Sequence, residues 1–238
     1  MTATICSLYQ FADCPDFEVL RVDLLATTRQ LGIKGSLLAA PEGLNGTISG
    51  TQDAIDRFVI YLTHDPIFAG RFAHAEIKYA TAEHNPFVRM KVRLKREIVT
   101  LRAPDADPRQ RTGTYVTPTD WNALIEDPEI VLVDTRNAYE TQAGMFRGAV
   151  DPSIRTFTGF KQWASENLNP DRDKKIAMYC TGGIRCEKAS AYLLNQGFQH
   201  VYQLKGGILA YMDKVPADES QFEGACFVFD ARGAVAPL

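Results

Sequence analysis

Ile176-Ala-Met-Tyr-Cys-Thr-Gly-Gly-Ile-Arg-Cys186 passes from an uninterrupted apolar run, through a cysteine and two glycines, into a helical pattern. A short continuous apolar run marks a strand buried on both faces, and such strands belong to parallel α/β sheets. Glycines at the carboxyl end of the strand permit a tight turn where these sheets bind their ligands. Residues 130–133 repeat the apolar run, residues 200–204 supply a third strand, and helical patterns around 119–126, 159–167 and 186–196 separate or follow them. Residues 112–220, with a core at about 126–220, are therefore expected to form a parallel-sheet α/β domain.

Upstream, Arg102-Ala-Pro-Asp-Ala-Asp-Pro-Arg-Gln-Arg-Thr-Gly-Thr114 loses all hydrophobic period to proline, glycine and charge, and reads as a linker. Residues 1–105 before it follow a different order. A strand at 4–11 precedes a helix with Asp16 as N-cap, with Phe17, Leu20, Leu24 and Leu31 on one face and Gly32 at its left-handed stop. Short strands at 36–40 and 46–49 flank the turn formers Pro41-Glu-Gly-Leu-Asn45, for which neither Glu42 nor Asn45 has a derivable role. Thr51 caps a second helix with Ile55, Phe58, Val59 and Leu62 as its apolar stripe, and strands at 72–79 and 90–101 close the unit. The order β-α-β-β-α-β predicts a ferredoxin-like α+β sandwich with an additional strand. Residues 221–238 are left as a short C-terminal tail. Such a sandwich hosts many unrelated activities, so chemistry has to be sought in the second domain.

Composition narrows the setting. Across 238 residues, 45% are hydrophobic and 23% charged, which excludes a largely disordered or collagen-like chain. No run approaches the roughly 20 apolar residues of a membrane span. The start, Met-Thr-Ala-Thr-Ile-Cys-Ser, lacks the basic and apolar regions of a secretory signal. Five irregularly spaced cysteines form no disulfide framework, so a reducing compartment, the cytoplasm, is expected, with no membrane partner. A net charge of -3 argues against a generally basic nucleic-acid coat while leaving room for a local basic face.

The chemistry concentrates at Cys180. Thr181, Gly182, Gly183, Ile184 and Arg185 are expected to curl into an anion cradle of inward N–H groups at the start of the following helix. The helix dipole and the Arg185 charge act on the same spot, so a thiol at the centre should ionise near neutrality. The bland reading is a small core cysteine beside an ordinary glycine turn, but the coincidence of cysteine, glycines, arginine and helix start favours reactivity. Only four residues separate Cys180 from Arg185, one fewer than a phosphatase loop uses around a tetrahedral phosphate, so the ring suits sulfur better. Cys186 falls in the first helical turn, where packing outweighs a resolving role. Asp134 and Arg136, at the end of the 130–133 strand, are expected to support the site by pairing or by bonding loop backbone, with Glu140 as further scaffold.

Val131-Leu-Val-Asp-Thr-Arg-Asn-Ala-Tyr-Glu-Thr-Gln-Ala-Gly-Met-Phe-Arg-Gly-Ala149 resembles the signature of a rhodanese domain, with Met145 where a histidine is frequent. Cys180 matches the rhodanese persulfide cysteine, and Leu204-Lys-Gly-Gly-Ile208 resembles the closing segment. Tyr179-Cys-Thr-Gly-Gly-Ile-Arg-Cys-Glu-Lys-Ala-Ser190, Pro41-Glu-Gly-Leu-Asn-Gly-Thr47 and Cys226-Phe-Val-Phe-Asp230 together resemble the bacterial rhodanese-containing tRNA uridine hydroxylase family. That resemblance implies oxygen-dependent 5-hydroxylation of the wobble uridine of tRNA, with Cys180 essential and molecular oxygen as co-substrate. Longer members of the family continue into a cysteine-rich segment that this sequence does not show up to Leu238.

The residues by themselves point elsewhere, to sulfur transfer through a Cys180 persulfide. No GxGxxG, no paired Cys-x-x-Cys and no helical His-x-x-x-His occurs; His64, His74, His84 and His200 are scattered. No metal site and no cofactor are identifiable. A thiosulfate or persulfide sulfurtransferase is thus the alternative, and a non-catalytic rhodanese-like binding module the third reading. For RNA contact, Arg89, Lys91, Arg93 and Lys95 alternate with apolar residues and are expected to share one strand face. The competing role for such a row is to guard a sheet edge. Phe157, Phe160 and Trp163 repeat at helical spacing, a pattern more often core than a base-stacking surface.

Overall fold

The computed structural model describes residues 2–229 and 232–236. Asp230 of the tail motif and Leu238 lie outside the described residues. Strand β1 (Ala3–Phe11) leads to helix α1 (Phe17–Gln30), whose Leu20 and Leu24 are buried and which stops at Gly32 with φ of 67°. Strands β2 (Lys34–Ala40) and β3 (Gly43–Gly50) form an antiparallel hairpin, followed by α2 (Gln52–His64), β4 (Glu76–Ala82) and β5 (Met90–Leu94). The sheet order is β4-β1-β3-β2-β5. Its first four strands have the order of a ferredoxin-like sandwich, and β5, parallel to β2, is the added strand. The core joins Leu20 and Leu24 of α1 and Ile55, Phe58 and Leu62 of α2 to Leu8, Leu37 and Ile48 of the sheet.

Local expectations hold where a side chain meets its own helix and shift where it finds a distant partner. Thr51 accepts the Ala54 N–H at 3.2 Å as the cap of α2. Asp16 occupies the cap position of α1, but its carboxylate is taken by Arg71. The strand expected at 72–79 begins only at Glu76, because Phe72 is a core residue carried on turns. The strand expected to run to 101 ends at Leu94. Burial of Ile98 and Leu101 explains their apolar character without a ladder. Here Glu42 and Asn45 acquire a role: the Glu42 carboxylate accepts the Ile98 N–H at 2.6 Å, and Asn45 Nδ2 donates to the Ile98 carbonyl at 2.9 Å. Pro41 and Glu42 alone make the turn, with Asn45 already inside β3.

The chain divides into two compact units, Met1–Val99 with Phe229–Arg232 and Thr100–Val228 with Gly233–Leu238. Residues 102–113, expected as linker, belong to the second unit, with Asn195 Nδ2 donating to the Asp105 carbonyl at 2.7 Å and Gly113 N–H to Ser190 Oγ at 2.8 Å. That unit runs through β6 (Thr114–Val116), α3 (Pro118–Ile125), β7 (Ile130–Asp134), α4 (Ala138–Thr141), β8 (Gly144–Phe146), α5 (Phe160–Asn167), β9 (Lys175–Tyr179), α6 (Ile184–Asn195), β10 (His200–Leu204) and α7 (Gly207–Lys214). Strands β6-β10-β9-β7 make a parallel sheet. Beyond α7, β11 (Phe222–Gly224) pairs antiparallel with β8, and β12 (Cys226–Phe227) pairs with β13 (Ala234–Val235). Phe222 and Cys226 are buried in the core of this unit, so the start of the expected tail is structural. Among the described residues no helix is long and apolar enough to cross a membrane.

Candidate active site

Strand β9 delivers Cys180 to the carboxyl edge of the sheet, and Gly183, at φ of 106°, turns the chain into α6. A side chain at that φ is strained, so glycine is what lets the loop curl back on the sulfur. The Gly183 N–H donates to Cys180 Sγ at 3.1 Å, and the Arg185 N–H is directed to the same atom. The Cys186 thiol bonds to Cys180 as well, and its own sulfur lies 3.6 Å from Thr135 Oγ1. Burial opposes ionisation of Cys180, which has 0% of its surface exposed. Against burial stand the Cys186 thiol, the Arg185 charge and the two amides, and they hold the Cys180 thiol well below its ordinary range. Cys186 is pushed the other way, by burial and by the negative sulfur beside it.

Of two buried ion pairs in this unit, one holds the loop. Arg185 donates to both carboxylate oxygens of Glu140, at 2.6 and 2.7 Å, and to Thr181 Oγ1 at 3.3 Å. Glu140 is fully buried and also accepts the Asn137 N–H at 3.1 Å. Arg185 therefore closes the ring with its backbone amide and its field, while its guanidinium is anchored on α4. Asp134 and Arg136, both with 0% exposed side chains, pair at 2.7 Å, and Arg136 reaches the Gly144 carbonyl at 2.5 Å. They fix the end of β7 to β8 and do not touch the sulfur. Gly182 and Ile184 are half-buried at the rim of the loop.

The segment Gly206-Gly207 closes the other side. Ile208 N–H donates to the Cys180 carbonyl at 2.9 Å and Leu209 N–H to that of Thr181 at 3.1 Å. A Cβ on Gly207 would stand 2.4 Å from the Cys180 carbonyl oxygen, so the approach requires glycine. Thr135 is a neighbour of the site that sequence reasoning missed, and Cys226, quoted above within the tail motif, is placed beside the loop by the fold. Cys226 is buried, its thiol bonds to Thr181, and burial pushes it up to about 12. Thr135 was visible only as the middle residue of Asp134-Thr-Arg136, since its partner Cys186 is distant in sequence.

The remaining expected residues lie apart from this loop. Of the basic row, Lys91 and Arg93 belong to β5, while Arg89 and Lys95 flank it. The strand is a sheet edge, Val92 is buried, Lys91 is half-buried and Leu94 is 40% exposed, so the even division into basic and apolar faces is only partial. Phe157 and Phe160 are core residues, but Trp163 is half-buried beside a surface groove. All four histidines are exposed. Among the described residues no group of three or more His, Cys, Asp or Glu is placed to hold a metal ion.

Comparison with known proteins adds to this geometry. A UPF0176 acylphosphatase-like domain matches residues 3–98, and a rhodanese-like domain matches residues 117–214. A tRNA uridine(34) hydroxylase of Bradyrhizobium diazoefficiens is 54% identical over 231 residues, covering 97% of this chain and 91% of the relative. Proteins of the same name from Nitrobacter hamburgensis and Agrobacterium fabrum are each 52% identical over 97% of this chain, covering 91% and 72% of their own lengths.

Proposed function

The chain belongs to the tRNA uridine(34) hydroxylase family, and from that premise we propose that it is a tRNA-modifying oxidoreductase that hydroxylates the 5-position of the wobble uridine. The observation that carries the reading is a match of 54% identity over 97% of the chain, spanning both units and including the cysteine loop. Cys180 is the nucleophile. A soft thiolate adds to the conjugated uracil ring and places electron density on the neighbouring 5-carbon, which is the carbon to be oxidised. Molecular oxygen is the co-substrate. One oxygen atom replaces the hydrogen on the 5-carbon, and the other leaves as water with two electrons and two protons from an external two-electron donor. The Cys180 thiolate is expelled as the ring double bond re-forms. The reaction takes place in the cytoplasm, where tRNA is modified.

Mass spectrometry of tRNA nucleosides tests this directly. A strain lacking the gene should lose 5-hydroxyuridine and its derivatives, the wild-type gene should restore them, and Cys180→Ser should not. Full hydroxylation by Cys180→Ser removes the sulfur from the reaction. A second reading rests on the same loop: its inward amides, one of them 3.1 Å from Sγ, are donors of the kind that hold the terminal anion of a persulfide. Rapid thiocyanate formation from thiosulfate and cyanide, with unchanged tRNA nucleosides, would select that sulfurtransferase instead.

A further inference from the structure

A surface groove of about 600 Å³ lies along the start of α5, within the second unit. Arg102, Arg155 and Lys161 bring three positive charges to its wall, against one carboxylate, Glu166. Glu166 is held by Gln162 Nε2 at 2.8 Å. Lys161 Nζ donates to the Arg102 carbonyl at 2.5 Å, and Arg102 itself is in the left-handed region at φ of 59°. That backbone conformation is uncommon for a side chain larger than glycine and costs stability wherever it is kept. The result is a lysine ammonium tied to the backbone carbonyl of an arginine on the same wall. On the same wall the indole of Trp163 is half-buried, braced from below by Phe160 at 5.9 Å between ring centroids. The hydroxyls of Thr156 and Thr158, bonded to each other at 2.8 Å, complete the polar side.

We propose that this groove docks single-stranded RNA, with Arg102, Arg155 and Lys161 on phosphates and Trp163 stacked on a base. The inference rests on the tRNA reading above and deepens it by assigning a substrate-holding surface. Cations along a backbone combined with a braced aromatic face match unpaired nucleotides, which carry a phosphate and a ring in every unit, whereas the carboxylates of an acidic peptide leave the indole face unused. The groove is also mechanically joined to the cysteine loop. Ile154 in its wall accepts the Ala138 N–H at 2.8 Å, Asp151 accepts from Thr141 Oγ1 at 3.0 Å, and both donors belong to α4, which carries the Glu140 partner of Arg185. RNA seated there bears on the helix that positions the cradle.

The intact protein supplies its own probe. Its two tryptophans are Trp121, fully buried, and Trp163, so quenching of emission by a short oligouridylate reports on Trp163. Quenching should occur and should vanish in Arg155→Glu with Lys161→Glu, which keeps the Trp163 reporter. Trp163→Ala should weaken affinity for tRNA about tenfold, as loss of one stacked base does. Arg155→Glu with Lys161→Glu should lower the slope of log affinity against log salt by about two. Should Trp163→Ala fail to fold, the loss of tRNA affinity is read from the exposed Arg155→Glu change instead. Unaltered tRNA affinity in all variants of a wild type that does hydroxylate tRNA overturns the groove alone. A wild type that makes no hydroxyuridine overturns the tRNA reading on which it rests. Equal quenching by a polyglutamate of matched charge overturns it in favour of an acidic protein partner.

Discussion

A thiol without exposed surface is ordinarily inert, because desolvation disfavours its anion. Cys6 and Cys226 show that outcome, each pushed by burial to about 12. Cys180 is as deeply buried, yet Cys186, Arg185 and the two amides that face it hold its thiol well below the ordinary range. The wild type minus Cys180→Ser difference in thiolate ultraviolet absorbance should therefore develop below the ordinary thiol value of about 8.5. The linkage has a definite sign. A folded pKa below the unfolded one contributes stability that is complete above about 8.5 and is lost as pH falls through the folded value. The stability advantage of wild type over Cys180→Ser in urea should accordingly grow as pH rises towards 8.5, and a flat difference removes the ionised sulfur. Glu140 gives a second prediction at this scale. Glu140→Gln leaves the 6%-exposed Arg185 without its counter-charge, which should cost about 3–5 kcal/mol of stability in the same denaturant titration.

Strands and helices were legible from the sequence where one period governs a whole segment. The apolar runs of β7 and β9 and the stripe of α2 announce themselves, since burial on both faces or on one stripe leaves a regular pattern. Residues 95–101 misled because Ile98 and Leu101 are apolar for a local reason, packing, while the backbone of Ile98 is clamped by Glu42 of the turn and Asn45 of β3. In the site, Cys180 and its glycines were readable since they are contiguous. The scaffold role of Glu140 was readable, but its partner Arg185 and the role of Thr135 were not, because each acts on α6 across a long stretch of chain. The closing segment offers the test of this element-level geometry. Gly207→Ala combines a positive φ of 66° with a 2.4 Å collision on the Cys180 carbonyl. It should destabilise by about 1–3 kcal/mol and raise the Cys180 pKa as the loop is displaced; an unshifted thiolate titration would show that the segment does not shape the cradle. At the edge strand, Lys91→Glu with Arg93→Glu separates two roles. Weaker, less salt-dependent tRNA binding marks RNA contact, whereas self-association with intact binding marks edge protection.

Each unit encloses its own apolar cluster, one drawn from residues 6–92 and the other from residues 116–235. Every group found around the sulfur, from Thr135 and Glu140 to Cys186, Gly207 and Cys226, lies after the division at Val99. Ionisation of the thiol is thus a property of the second unit, while modification of a macromolecular substrate draws on whatever surface holds that substrate. The neighbours of the sulfur described above all belong to the second unit, and the first unit's part is tested through binding. A chain beginning at Thr100 separates the two. It should fold with a cooperative transition and keep the depressed thiolate titration of the full protein. It should hydroxylate full-length tRNA far more slowly, through a raised KM, because the edge strand with Lys91 and Arg93 is gone. Adding salt should then weaken its RNA binding less steeply than that of the intact chain. Hydroxylation at the full rate by the shortened chain, with an unchanged KM, would strip the first unit of any part in holding RNA and leave the groove beside Trp163 as the surface that does so.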